Sequence, residues 1–387
     1  MPNKHSTLIG GSSCERVMHC TGSVKLSENM PDSSSSFADE GSMKHSVMEA
    51  ILEEDKTPEE MIGYEEFGHT LSEEDVQEAI IPALNHFKEV VKKFGAFDYA
   101  TEARTKFSDL DAFGTVDILG ANENYTFIID WKFGRGVAVS AVDNSQLRFY
   151  AGAGRETPEF ADMFSRDRKI VLVIIQPNVR DGDPFTYEVI DHDELDIFVN
   201  KMKFAVDTVL NGETSLDPGK WCRWCKAAPI CNVKQTMAEE ILSRNIKDPT
   251  IDADEFGRLV RLANEVTDWA KGVHKFAYEE LGRGHQVTGY KLVDKLSRRK
   301  WRDSDAAEGI FKQLKIAAKD FTKSELISPA QAEKLLKSKK HSFDGLSKLI
   351  VSLSSGTTMT DASDKRDAVK PLGASSLNLP SKPNSKG

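Results

Sequence analysis

The sequence predicts an α/β chain with a mixed central sheet flanked by helices and a mostly helical C-terminal extension. Three observations carry this expectation. First, the strand-like runs YATEARTKF (99–107), FGTVDILG (113–120) and YTFIIDWKF (125–133) follow two stretches of helical periodicity. Second, the helical stretch SQLRFYAGAGRE (145–156) separates them from two more strand-like runs, RKIVLVIIQP (168–177) and FTYEVI (185–190), as a crossover would. Third, DADEFGRLVRLANEVTDWAKGVHKFAYEELGRG (252–284) has the apolar spacing of one long amphipathic helix.

Taken in order, residues 1–36 are polar and serine-rich, with SCERVMHCTGSVKLSE (13–28) expected as a short helix and turn. FADEGSMKHSVMEAIL (37–52) is helical in its spacing. The next helix, from Ser72 to Gly95, starts at an N-cap serine with Asp75 in the capping-box position. After the strands, DHDELDIFVNKMKFAVDTVLNG (191–212) is a helix capped by Asp191 or Asp193 and ended at Gly212. A small hairpin or strand is expected at YKLVDKLSRRKWR (290–302), and short helices to about residue 349. The tail lacks a core pattern and reads as disordered. The expected organisation is therefore an N-terminal segment (1–36), a core (37–235), a mainly helical region (236–350) and a tail (351–387).

The chain has 387 residues and a net charge of −10, which argues against a protein that coats DNA indiscriminately. It does not exclude an enzyme whose cleft is neutralised by metal, and the stretch from Lys291 to Lys340 is basic. No apolar run approaches the roughly 18 residues of a membrane span, and the N-terminus has no signal-peptide core. The expected location is the cytosol, without membrane partners.

Charge inside the hairpin FGTVDILGANENYTFIIDWKFG (113–134) needs an explanation, because burying an unpaired carboxylate is costly. On a strand, Asp130 and Lys132 face one side and Trp131 the other. With a turn centred on Asn122 and Glu123, Asp117 falls opposite Ile128 and diagonal to Asp130, on the same face. Converging carboxylates repel unless a cation lies between them, and oxygen ligands suit Mg²⁺ or Mn²⁺. The duller reading of a lone D-x-K is a surface ion pair. Glu102, on the preceding strand, either joins the acidic cluster or is solvated.

The ordered set of GTVD (114–117), IIDWK (128–132) and QLRFY (146–150) resembles the PD-(D/E)XK nucleases, most closely their RecB-like exonuclease branch. That branch carries G-x-x-x-H on an upstream helix, matched here by Gly41 and His45. The resemblance implies a restriction-endonuclease-like fold. It implies that His45, Asp117 and Asp130 hold Mg²⁺ or Mn²⁺, with the Trp131 carbonyl as a further oxygen and Glu102 as an additional ligand. Lys132 would activate water, and Gln146 and Tyr150, on one helical face, would position DNA or Lys132. The chain departs from the pattern in lacking the proline that names the superfamily, and no helicase motif accompanies the site.

Cys222, Cys225 and Cys231 have the spacing C-x2-C-x5-C, which needs a fourth ligand. Cys14 and Cys20 are the candidates. RecB-like nucleases of the AddB and CRISPR-adaptation types place one cysteine before the core and three after it, around a [4Fe–4S] cluster. That resemblance favours Cys20 and leaves Cys14 as a free buried thiol, and structural zinc is the alternative. Trp221 and Trp224 flank the site, either shielding it or packing on DNA. The chain also resembles an uncharacterised phage and prophage family of this type. The reading is a metal-dependent DNA exonuclease used in recombination, repair or degradation, beside a single-strand annealing or other DNA-binding protein. A structure-specific endonuclease and a non-catalytic DNA-binding or assembly scaffold are the alternatives.

Overall fold

A computed structural model describes residues 8–28, 30, 36–243, 252–282 and 287–290. The chain divides into two units, residues 1–287 and 288–387, and every element below lies in the first. The hairpin expected from Tyr290 onward, the short helices after it and the tail fall outside the described residues, Tyr290 itself excepted.

The sheet has five strands in the order β1 (Asp98–Lys106), β2 (Phe113–Ala121), β3 (Tyr125–Trp131), β4 (Lys169–Ile175) and β5 (Phe185–Ile190). All neighbours are antiparallel except β3 and β4, which run parallel. A parallel pair cannot be joined by a tight turn, and the helix Ser145–Glu156 makes the crossover. Eight helices are used below, in chain order: α1 (Cys14–His19), α2 (Gly22–Ser27), α3 (Ser36–Glu53), α4 (Ile81–Phe94), α5 (Ser145–Glu156), α6 (His192–Leu210), α7 (Asn232–Ser243) and α8 (Ala253–Gly282). The mixed α/β architecture with a helical part after the core is the one the sequence predicts.

Alternation along β4 sorts the core into two layers. Ile170, Leu172 and Ile174 pack with residues of α1, α5 and α6, whereas Val171, Val173 and Ile175 pack with residues of α3 and α4. A strand covered on both faces reads as a continuous apolar run, as KIVLVII does. The α4 rod begins about two turns earlier, at Glu73–Asp75, and passes through a π-helical turn at Val76–Ile80. Ser72 and Asp75 close the expected capping box. Asp191, not Asp193, caps α6, and Gly212 follows that helix with φ +78°.

The hairpin register corrects one expectation. Leu119, not Asp117, lies opposite Ile128, and Ala121 lies opposite Thr126. Asn122 causes the shift: its side-chain oxygen accepts from the Asn124 and Tyr125 amides, and its own amide donates to Tyr125 O. The turn is thus Glu123–Asn124, one residue later than expected. The same register carried on sets Asp117 opposite Asp130 rather than diagonal to it, so the two still share a face.

Candidate functional site

The site forms where β1, β2 and β3 meet α3 and α5. Asp117 and Asp130 are both buried. The paired register of β2 and β3 stops at Ile118–Ile129, and beyond it the Trp131 amide donates to Asp117 Oδ2 at 2.6 Å. Asp117 Oδ1 lies 2.9 Å from His45 Nδ1. A carboxylate only accepts, so that nitrogen carries the hydrogen. Burial pushes the His45 imidazole down, but the charge and hydrogen bond of Asp117 outweigh it and leave the pKa raised.

Glu102 joins this group from β1. Thr101 pairs with Ile118 and Ala103 with Val116, yet Glu102 between them drops out of the ladder at φ +42°. A non-glycine residue held there costs about 1–3 kcal/mol, a strain that proteins concentrate at functional positions. One ligand atom each from His45, Glu102 and Asp117 lies within 4.8 Å of the others. Glu102 is thus half-buried and within reach of His45 and Asp117.

A second network adjoins the first. Lys132 Nζ lies 2.7 Å from Asp130 Oδ2 and donates to Gln146 Oε1 at 3.0 Å. The Gln146 amide nitrogen donates to Asp130 Oδ1 at 3.0 Å and to the Tyr150 hydroxyl at 3.1 Å. That arrangement fixes the amide, since turning it over would face its NH₂ toward an ammonium. Burial raises the Asp130 pKa, and Asp117 adds to this while Lys132 opposes it. Burial likewise pushes the Tyr150 phenol well above its usual range. Trp131 pairs with Ile175 of β4, its amide donates to Asp117 and its indole lies in the core. Its carbonyl as a ligand stays an expectation of the resemblance.

Four residues support the site, and of these only Gly114 belongs to a motif the sequence singles out. Asn144 caps α5 by accepting from the Gln146 and Leu147 amides, which sets where Gln146 starts its helix. Gly11 and Gly114 leave room for the Tyr150 ring; a Cβ on either would stand 2.6 or 2.9 Å from its Cε1. The buried Gln176 amide ties the loop after Lys132, donating to Gly134 O and Val137 O and accepting from the Val139 amide. Its only sequence signal is a polar residue ending an apolar run.

The cysteines form a separate site. Cys20, Cys222, Cys225 and Cys231 line one pocket together with Leu216, Asp217 and Lys234. The Asp217 amide donates to Cys20 Sγ and the Gly219 amide to Cys222 Sγ, each at 3.4 Å. The Gly22 amide donates to Ser215 O, and the Ser215 amide donates to the Thr21 hydroxyl, which holds the two chain segments side by side. Lys234 is buried and paired with Glu265 of α8. Cys14 lies elsewhere, buried in the core with its thiol 3.6 Å from Met18 Sδ. The tryptophans divide. Trp221 stacks on His19 at 4.1 Å, whereas Trp224 is 73% exposed.

The family model described as "Protein of unknown function (DUF2800)" matches residues 5–367. The chain belongs to the DUF2800 family. Among solved structures, this DUF2800 chain is similar to one titled SSO0001, at 13% identity over 59% of this chain and 88% of that one, with a TM-score of 0.28. It is also similar to an alkaline exonuclease (LHK-Exo) from Laribacter hongkongensis, at 11% identity over 61% and 96%, TM-score 0.23. The same exonuclease in complex with dAMP matches at 12% over 60% and 95%, TM-score 0.23. At this level of likeness, the chemistry of the DUF2800 chain must be argued from its own site. Among the described residues, no helix is long and apolar enough to cross a membrane.

Proposed function

We propose that the chain is a divalent-metal-dependent DNA nuclease that works from ends, with Asp117, His45, Glu102 and Asp130 as the metal-holding side and Lys132 as the catalytic cation. One observation carries this reading: the imidazole and two carboxylates within reach of one ion stand beside an Asp130–Lys132–Gln146–Tyr150 network whose two ends are buried. Three carboxylates against one lysine leave about two negative charges to neutralise, and an oxygen-rich set suits Mg²⁺ or Mn²⁺. Such an ion supplies Lewis acidity toward a phosphate oxygen and a more acidic water.

The protein's own groups do the rest. Asp130 and Gln146 hold two sides of the Lys132 ammonium, whose remaining hydrogen can reach a water or a phosphate oxygen. As water adds to phosphorus and the bond to the leaving sugar oxygen breaks, this ammonium stabilises the growing negative charge. Tyr150 stays protonated at neutral pH, so its part is to orient Gln146 rather than to accept a proton. Four cysteine sulfurs in one pocket, two of them accepting backbone amides, suit a [4Fe–4S] cluster or zinc that joins the start of the chain to the end of its core.

Cleavage of matched linear and covalently closed DNA with Mg²⁺ or Mn²⁺ tests the reading. Shortening of linear DNA alone supports it, and equal cutting of closed circles replaces the exonuclease with an endonuclease. Absence of cleavage by protein with its cysteine site loaded leaves a non-catalytic scaffold.

Glu102→Gly separates strain from ligation. In chelator, its melting temperature is expected to stay level or rise, because glycine adopts positive φ freely. The rise in melting temperature on adding Mn²⁺ is expected to shrink. Melts with and without Mn²⁺ check this; a variant that melts lower in chelator yet keeps the full Mn²⁺ response would make Glu102 purely structural.

A further inference from the structure

The cysteine turn has an outer face that neither site uses. Between Asp217 and Glu239 the chain carries no acid and four cations, Lys220, Arg223, Lys226 and Lys234, although its net charge is −10. Lys234 is buried against Glu265, and Lys220 pairs with Glu15 while remaining largely exposed. Arg223 and Lys226 are exposed, three residues apart in the chain. Two cations brought together on a surface favour an anion between or above them.

The aromatic residues sharpen this. Trp221 is spoken for: its ring stacks on His19 with an interplanar angle of 6°, and its indole N–H donates to Asp217 O at 2.8 Å. Trp224 sits three residues on, with its ring in solvent and the Arg223 guanidinium 5.5 Å from the ring centroid. An indole left in water beside a guanidinium, with the exposed Lys226 two residues on, combines a stacking surface with charges that can contact phosphate, the pairing by which single strands are held without regard to sequence.

We infer that Trp224, with Arg223 and Lys226, is a stacking platform for one strand of single-stranded DNA, separate from the carboxylate cluster. It rests on the nucleic-acid part of the proposed function but not on cleavage, so it can be measured without catalysis. Duplex DNA fits less well, because its bases present no free face to the ring.

Full-length protein with its cysteine site loaded would be titrated with a labelled oligo-dT strand and with a blunt duplex. Chelator stops cleavage, and fluorescence anisotropy is read at several salt concentrations. Trp224→Ala is expected to weaken single-strand binding about tenfold. Trp224→Phe should keep most of the affinity, and the duplex should hardly respond. Arg223→Gln is expected to lower the slope of log affinity against log salt by about 0.7. Metal content and melting temperature, unchanged in all three variants, show that the fold is intact. Wild-type affinity in Trp224→Ala, or equal losses for strand and duplex, overturns the platform and leaves the ring to a protein partner. Single-strand binding that depends on Trp224 in a protein that never cleaves DNA keeps the platform and removes the nuclease. Cleavage with binding insensitive to Trp224 does the reverse.

Discussion

Lys132→Met is expected to slow DNA cleavage by about 10³-fold, the size seen when one preorganised charge is removed from a developing anion. The ammonium is held from two sides, by Asp130 Oδ2 at 2.7 Å and by Gln146 Oε1 at 3.0 Å, so water does not replace it in register. The same change leaves Asp130, only 3% exposed, without its counter-charge. Burial already raises that carboxyl, and removing Lys132 takes away the main opposing influence. A folded-state pKa above the unfolded value means that the native state binds more protons, so stability falls as pH rises through it. The variant should therefore lose more melting temperature at neutral pH than at acidic pH. Lys132→Met combined with Asp130→Asn should recover stability at neutral pH and remain inactive. Single-turnover cleavage and melts against pH are the measurements. A single variant within about tenfold of the wild-type rate would mean that this lysine does not serve the chemistry.

Cys20→Ser and Cys222→Ser are each expected to empty the cysteine site and destabilise the chain by on the order of 5 kcal/mol. The size follows from the loop. These residues are about 200 positions apart in sequence, and a ligand joining them removes that loop's freedom from the unfolded state. The hydrogen bonds of the Gly22 amide to Ser215 O and of the Ser215 amide to the Thr21 hydroxyl remain, so the segments should stay adjacent in a weakened native state. Cys14→Ser is the internal control. Its thiol lies in the core, where burial pushes it far above the usual range, and it takes no part in the pocket. It should keep full metal content. Metal analysis with visible absorption reads the outcome: iron with labile sulfide means a cluster, and zinc means a structural ion. Full loading of Cys20→Ser would remove the N-terminal segment from the site.

Much of this was legible locally because it depends on short-range periodicity. Period two puts Asp130, on β3, and Lys132, one residue past its end, on one side, and period 3.6 puts Gln146 and Tyr150 on one face of α5, whose bounds match the helical stretch in the sequence. The five strands and the capping box at Ser72 follow from the same kind of information. Where two local options were equivalent, periodicity could not choose. Asp191 rather than Asp193 caps α6, and the hairpin turn sits one residue later because Asn122 turns its side chain onto the backbone.

The sequence by itself thus determined the element order, the shared face of the charged pair and the spacing of the last three cysteines. Only the tertiary structure decided which distant groups meet. His45 reaches Asp117 across 72 positions, Cys20 rather than Cys14 lines the pocket, and Trp221 turns inward while Trp224 does not. Glu102 enters the cluster through a left-handed backbone conformation that no residue pattern announces. The reason is physical. Helix and strand periods are set by bonds among near neighbours, whereas these meetings depend on how separately formed elements pack, and the strain at Glu102 is sustained by that packing alone.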